Sequence, residues 1–256
     1  MTRAPIFLGV SLKMYLDHEA TLRWVTDVVA TADSEPAVRD GRVRVAVLPT
    51  FVSVDAVAAA TRGTPVAVGA QDLAWADHGA FTGEVSGRDL ASLGCRYVEV
   101  GHAERRQLFG EDDKIIASKL AAAARNGLIP ILCVGEQDHL SPERAVDLCR
   151  QQVLSALAEV DSGLDELIIA YEPVWAIGAE QPADADHVRA VCRQLRAGLA
   201  DDHRTEQVRV IYGGSAGPGL LTELGDAVDG LFLGRFAHDP EAFGRVIGEA
   251  AAMGRS

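Results

Sequence analysis

Ala170-Tyr171-Glu172-Pro173-Val174-Trp175-Ala176-Ile177-Gly178 places a carboxylate at the point where an apolar run has to stop. The residues before it, Leu167–Ala170, read as a short buried strand. Pro173 fixes φ and has no N–H to give, so the ladder ends at Glu172. Beyond the proline lie an apolar tip (Val174, Trp175, Ala176, Ile177) and the permissive Gly178. A base, a rigid hinge, an apolar cap and a glycine are the parts of a lid that closes over a reacting centre and excludes water. A strand-to-helix loop whose Trp packs locally would look the same in isolation, so the decision rests on the rest of the chain.

The same alternation of apolar run and helix extends in both directions. Before the quoted stretch come Ile6–Val10, Val43–Leu48, Val66–Ala70, Tyr97–Val100 and Ile129–Val134. After it come Val208–Tyr212 and Leu231–Leu233. The intervening segments carry helix signals: Asp17 at a start, Pro49-Thr50 opening an alanine-rich run to Thr61, and Ser86 ahead of another. Asp113–Asn126 ends at Gly127, Pro142 opens a helix to about Val160, Asp184–Leu199 is a further helix, and Asp239-Pro240 begins the last. Eight strand–helix units fill 256 residues with no linker or low-complexity tract. Apolar runs separated by helices imply parallel strands buried on both faces. The expectation is therefore an α/β protein, one (β/α)8 TIM-barrel domain over residues 1–256, with an open doubly wound sheet as the alternative.

Composition narrows the function. The net charge is −13 and no Lys/Arg-rich run occurs, which disfavours nucleic acid and anionic membranes as partners. A small anion remains possible, because local cations and backbone amides bind one despite overall repulsion. Cys95, Cys133, Cys149 and Cys192 show no CxxC spacing and read as reduced, buried thiols of a cytoplasmic protein. No signal peptide precedes the first strand and no stretch is long enough to span a membrane.

In a barrel of this kind chemistry sits at the C-terminal ends of the strands. Those ends carry Ser11 and Lys13, Gln71, His102 and Glu104, Glu172, Gly213-Gly214-Ser215, and Gly234-Arg235. Each alone has an ordinary explanation as a surface or turn residue. Their joint placement points instead to one constellation, with the last two turns suited to holding a phosphate on backbone N–H groups. Burial of Glu172 beneath Trp175, Ile177 and Phe232 is expected to raise its basicity.

These residues resemble the triosephosphate isomerase family over nearly the whole chain. The likeness is carried by Lys13-Met14, Gly79–Ser86, Gly101-His102 with Glu104-Arg105-Arg106, Cys133–Glu136, Ala170–Gly178 and Tyr212–Ser215. The resemblance implies a proton-transferring isomerase of a small phosphorylated sugar with no metal and no organic cofactor. It implies Glu172 as base, His102 as neutral electrophile and proton shuttle, and Lys13 as the positive charge for phosphate and enediolate. Glu104 becomes a supporting partner, and Gly178, Ser215 and Gly234 become phosphate-binding amides, joined by Arg235. Residues Pro173 to Gly178 are then the lid. The loop around Thr82 implies a homodimer.

The departures from the family's pattern are specific. Ser11 and Leu12 stand where members usually carry Asn and Trp before the lysine. Ala103 departs from the usual residue after the histidine, Ala179-Glu180-Gln181-Pro182 from the usual Thr-Gly-Lys-Thr, and Gly234-Arg235 from the usual Gly-Gly. Serine is smaller than asparagine by about two heavy atoms, close to the volume of one added hydroxymethyl group. Ser11 and Gly234-Arg235 resemble the branch that converts L-erythrulose-1-phosphate to D-erythrulose-4-phosphate. Triosephosphate isomerase activity itself and a catalytically inactive sugar-phosphate-binding regulator are the alternatives.

Overall fold

The eight apolar runs form the staves of one closed parallel barrel, in the order β1 (Ile6–Ser11), β2 (Val43–Leu48), β3 (Val66–Ala70), β4 (Tyr97–Val100), β5 (Ile129–Val134), β6 (Leu167–Tyr171), β7 (Val208–Tyr212) and β8 (Gly230–Leu233). A computed structural model describes residues 4–161, 163–177, 183–199 and 202–254. Closure is made by β1, which pairs with β2 from Ile6↔Val43 to Ser11↔Leu48 and with β8 from Phe7↔Gly230 to Val10↔Leu233. Every residue of β1, β4, β6 and β8 is buried. That burial on both faces is why these strands read as continuous apolar runs rather than alternating ones.

Period-two alternation sorts the side chains into two cores. Phe7, Leu48, Tyr97, Ile131, Ile168, Ile211 and Phe232 point inward and fill the barrel. Their neighbours, such as Leu8, Val47, Val98, Leu132, Ile169 and Val210, point outward beneath the helices. The helical layer comprises α1 (His18–Ser34), α2 (Pro36–Arg39), α3 (Val54–Thr61), α4 (Gly87–Ser92), α5 (Ala103–Phe109), α6 (Asp113–Arg125), α7 (Pro142–Ala156), α8 (Ala185–Leu199), α9 (Leu220–Leu224) and α10 (Pro240–Met253). In α8 the buried residues Val188, Val191, Cys192, Leu195 and Leu199 make the apolar stripe that a helix lying on a sheet requires.

The starting signals are used as the sequence suggests. Asp17, Ser86 and Asp112 each accept a hydrogen bond from a first-turn amide. Three local differences appear. The segment after α1 forms the one-turn α2, started by Pro36 and capped by the Glu35 carboxylate. The run opened by Pro49-Thr50 begins as a 3-10 turn, Phe51–Ser53, before α3. Helix α7 ends at Ala156, and a 3-10 turn over Leu157–Glu159 carries the chain onward. No helix among the described residues is long and apolar enough to cross a membrane.

Candidate active site

Closing the barrel gathers the ends of β1, β4, β6, β7 and β8 around a cavity of about 550 Å³, lined among others by Ser11, Lys13, His102, Glu104, Glu172 and Ser215. Gly234 and Arg235 lie on its rim, Arg235 exposed to solvent. Gly178 and the segment 179–182 lie outside the described residues. Of the sequence-selected polar residues at the strand ends, Gln71 alone takes a different place. Its amide donates to the carbonyl oxygens of Lys13 (3.2 Å) and Leu48 (2.8 Å). Gln71 therefore holds the main chain at Lys13, whose φ of +50° is a left-handed conformation uncommon for a residue with a side chain.

Glu172 directly follows β6, its amide donating to Val134 O at 2.8 Å. Its side chain is 3 % exposed, and Oε2 has no hydrogen-bond partner among the described residues. A wall of glycines admits it: a Cβ on Gly213 would lie 2.6 Å from Glu172 Cγ, and one on Gly135 would lie 1.9 Å from Glu172 O. Burial, and then the charge of Glu99, push the Glu172 carboxyl well above its ordinary value, while Lys13 pulls the other way. A desolvated, unsatisfied carboxylate facing a cavity is a stronger base than one in water. Ile177 and Phe232 line this space as expected. Trp175 does not: its Nε1 donates to Glu136 Oε1 at 2.9 Å and its ring packs on His139, 4.4 Å between centroids. The buried Glu136, which also accepts from the Tyr171 hydroxyl at 2.9 Å, draws the indole away.

His102 caps α5, and its Nδ1 accepts from the Glu104 amide at 3.1 Å. That bond leaves the ring proton on Nε2, which faces Glu172 Oε2 at 3.7 Å. Burial and then the positive charge of Lys13 lower the imidazole to about 4, against the attraction of Glu104. The contact with Glu172 is thus between a neutral imidazole and a carboxyl group, too long for a hydrogen bond. His102 offers an N–H without a charge.

Lys13 Nζ donates to Glu104 Oε1 at 2.5 Å. Burial works against its charge, but the Glu104 hydrogen bond and the fields of Glu104, Glu172 and Glu99 outweigh it and raise its pKa. Behind this pair, Lys119 is 2 % exposed and bridges Asp72 and Glu111, while Arg105 contacts both of those carboxylates. This network ties the end of β3 to α5 and α6 and so fixes where α5 presents His102 and Glu104. On the opposite rim Ser215 Oγ donates to Ala176 O at 3.2 Å, joining the β7 turn to the 3-10 turn Val174–Ala176 that follows Pro173.

Three participants escape a reading of strand ends: Tyr15, Phe236 and Glu99. The first two line the cavity mouth. Glu99 lies inside the barrel, 3 % exposed, and accepts from Ser11 Oγ at 2.8 Å. Its signal was a carboxylate at an inward position of a buried four-residue strand.

The arrangement can remove a proton from carbon at Glu172 and donate one to oxygen from His102. Lys13 can offset the negative charge that develops between them. Among the described residues no group of three or more His, Cys, Asp and Glu side chains is placed to hold a metal ion.

Known proteins with the same sequence pattern are isomerases by name. The family model described as triosephosphate isomerase matches residues 6–250. The chain is 50% identical over 255 residues to L-erythrulose-1-phosphate isomerase of Pectobacterium atrosepticum, covering 99% of this chain and 98% of the relative. It is 41% identical over 253 residues to triosephosphate isomerase of Moorella thermoacetica, covering 96% and 98%. It is 38% identical over 247 residues to that of a Synechococcus strain, covering 95% and 96%. A match running from the first strand into the last helix leaves one assignment: the chain belongs to the triosephosphate isomerase family.

Proposed function

We propose that this member of the family is a sugar-phosphate isomerase whose substrate is the four-carbon ketose phosphate L-erythrulose-1-phosphate, converted to D-erythrulose-4-phosphate. The observation that carries the chemistry is the convergence of Glu172, His102 and Lys13 on one cavity. Glu172 takes the proton from C3, the C–H pair becomes the C2=C3 bond, and the carbonyl pair moves onto O2 beside Lys13. His102 gives its Nε2 proton to O2 and takes the proton of the C3 hydroxyl. Protonated Glu172 then delivers its proton to C2, leaving the carbonyl at C3. Atoms and charge balance, and the phosphate stays on the amides of Gly178, Ser215 and Gly234, with Arg235 at the edge. Glu104 holds Lys13 in place. Residues Pro173 to Gly178 close over the enediolate and keep it from expelling phosphate.

Two observations favour the longer substrate over dihydroxyacetone phosphate. Ser11, smaller than asparagine, lines the cavity beside the reacting groups. The relative at 50% identity carries the erythrulose name, against 38–41% for the triosephosphate isomerases given above. Measuring kcat/KM for both substrates side by side should favour L-erythrulose-1-phosphate by at least 10-fold. A wide margin for dihydroxyacetone phosphate would make the chain a triosephosphate isomerase. Absence of carbon-bound deuterium exchange with either substrate in heavy water would make it an inactive binder.

The chain also pairs with itself in this reading. The loop around Thr82 is exposed, and Trp75, Phe81, Met14 and Val52 leave apolar surface uncovered, Met14 at 91 % and Val52 at 82 % exposure. Sedimentation at micromolar concentration should give twice the chain mass, and a monomer there would overturn the assignment. Four buried, unpaired cysteines support a reducing compartment, the cytoplasm.

A further inference from the structure

Inward-facing positions of the barrel are apolar apart from a few at its two ends, and Glu99 is a costly exception. Val98 and Val100 point outward under the helices, while Glu99 joins the interior between Ser11 and Cys133. A carboxyl group buried in such surroundings destabilises the fold unless its oxygens are satisfied. Its Oε2 accepts from Ser11 Oγ at 2.8 Å. Its Oε1 lies 3.9 Å from His102 Nε2 and 4.0 Å from Cys133 Sγ. Since His102 Nε2 is itself 3.7 Å from Glu172 Oε2, the Ser11–Glu99 pair lies directly under the two groups that handle the reacting carbon.

We propose that Ser11 and Glu99 together form a hydroxyl-recognition subsite, in which Glu99 accepts the Ser11 hydrogen bond and so turns the Ser11 Oγ lone pairs toward the substrate. This deepens, and rests on, the four-carbon reading above. The hydroxyl to be read is the one on the hydroxymethyl group that a four-carbon ketose phosphate bears and dihydroxyacetone phosphate lacks. That group is attached to the carbon Glu172 deprotonates, so its hydroxyl must fall close to Glu172 and His102, where Ser11 lines the cavity. A free serine hydroxyl rotates and can present either its proton or its lone pairs. One whose proton is committed to a buried acceptor can only accept, and it selects a ligand that donates.

Glu99 acts here as a positioning residue. Burial raises its carboxyl to about 8, against the Ser11 hydrogen bond and the Lys13 charge, and Oε2 can accept from Ser11 in either protonation state. Oε2 faces Ser11, and Oε1 faces His102 and Cys133. Glutamine has the same shape and the same acceptor, whereas leucine has the volume without the acceptor.

The readout is the ratio of kcat/KM for L-erythrulose-1-phosphate to that for dihydroxyacetone phosphate. Glu99→Leu and Ser11→Ala should each lower this ratio about 10-fold or more, the worth of a hydrogen bond to an oriented group. Most of the change should lie in KM for the longer substrate. The double variant should fall no further than either single one, because the two residues act as one device. Glu99→Gln should retain the wild-type ratio, an outcome that loss of packing or of charge would not produce. An unchanged ratio in Glu99→Leu, or an equal fall in Glu99→Gln, would overturn the inference while leaving the substrate reading intact. If Glu99→Leu does not fold, Ser11→Ala decides alone, since it removes one hydroxyl and keeps the Glu99 side chain in place, and an unchanged ratio there is equally fatal. A wild-type enzyme that prefers dihydroxyacetone phosphate would sink the substrate reading itself, and the subsite with it.

Discussion

Glu172→Gln should lower kcat by at least 100-fold, and on the order of 10³- to 10⁴-fold, while KM changes by only a few-fold. The size follows from the step removed: a positioned base contributes about 10²–10⁴ to proton transfer, and an amide cannot accept a proton at neutral pH. The substitution spares the rest of the site. Ser215, Gly234 and Lys13 remain to hold the phosphate, and they line the cavity independently of the Glu172 carboxyl. Folding should survive as well. Burial already disfavours the charged form of Glu172, so an uncharged amide of the same shape replaces a group that its surroundings favour uncharged. Steady-state kinetics together with a thermal melt would check both halves. Turnover near that of the wild type would remove Glu172 from the role of base.

How far the sequence carried this picture depends on which face a residue uses. The strands were legible because a parallel barrel buries both faces, so each stave is an unbroken apolar run with a helix signal after it. The site was legible to the same extent. Ser11, Lys13, His102, Glu104, Glu172, Ser215 and the Gly234-Arg235 pair all occupy strand ends, and the structure draws them to one cavity. Side-chain direction was not legible. Trp175 belongs to the apolar tip by sequence, yet a buried acceptor on the neighbouring strand end, Glu136, turns it from the base. Gln71 sits at a strand end like the others but spends its amide on two carbonyls. Glu99 was hidden because it lies within a strand, where an apolar pattern averages over one charged residue. Its meaning appears only when the barrel closes and brings Ser11 of β1 within 2.8 Å of it.

That closure also concentrates negative charge, and this makes Lys13 the site's second large lever. Glu99, Glu104 and Glu172 all act on its ammonium group, and it in turn favours the ionised form of Glu172. Lys13→Met should therefore do two things at once. It should lower kcat/KM by about 10²- to 10³-fold, because the charge opposing both the phosphate and the developing enediolate is gone. It should also move the acid limb of the kcat/KM profile to higher pH. The sign follows from the role of the base: activity needs Glu172 ionised, Lys13 lowers its pKa, and without Lys13 a higher pH is needed to strip the proton. A merely structural role for the lysine would lower activity equally at every pH. Methionine keeps most of the aliphatic stem at the left-handed position that Gln71 supports, and Glu104 is exposed enough to be hydrated once its partner is lost. The fold should thus persist, and a pH–rate profile is interpretable. A loss below about 10-fold with the acid limb unmoved would mean that the charge holding the reacting oxygen comes from elsewhere, and Arg235, which lines the same cavity, would be the residue to test next.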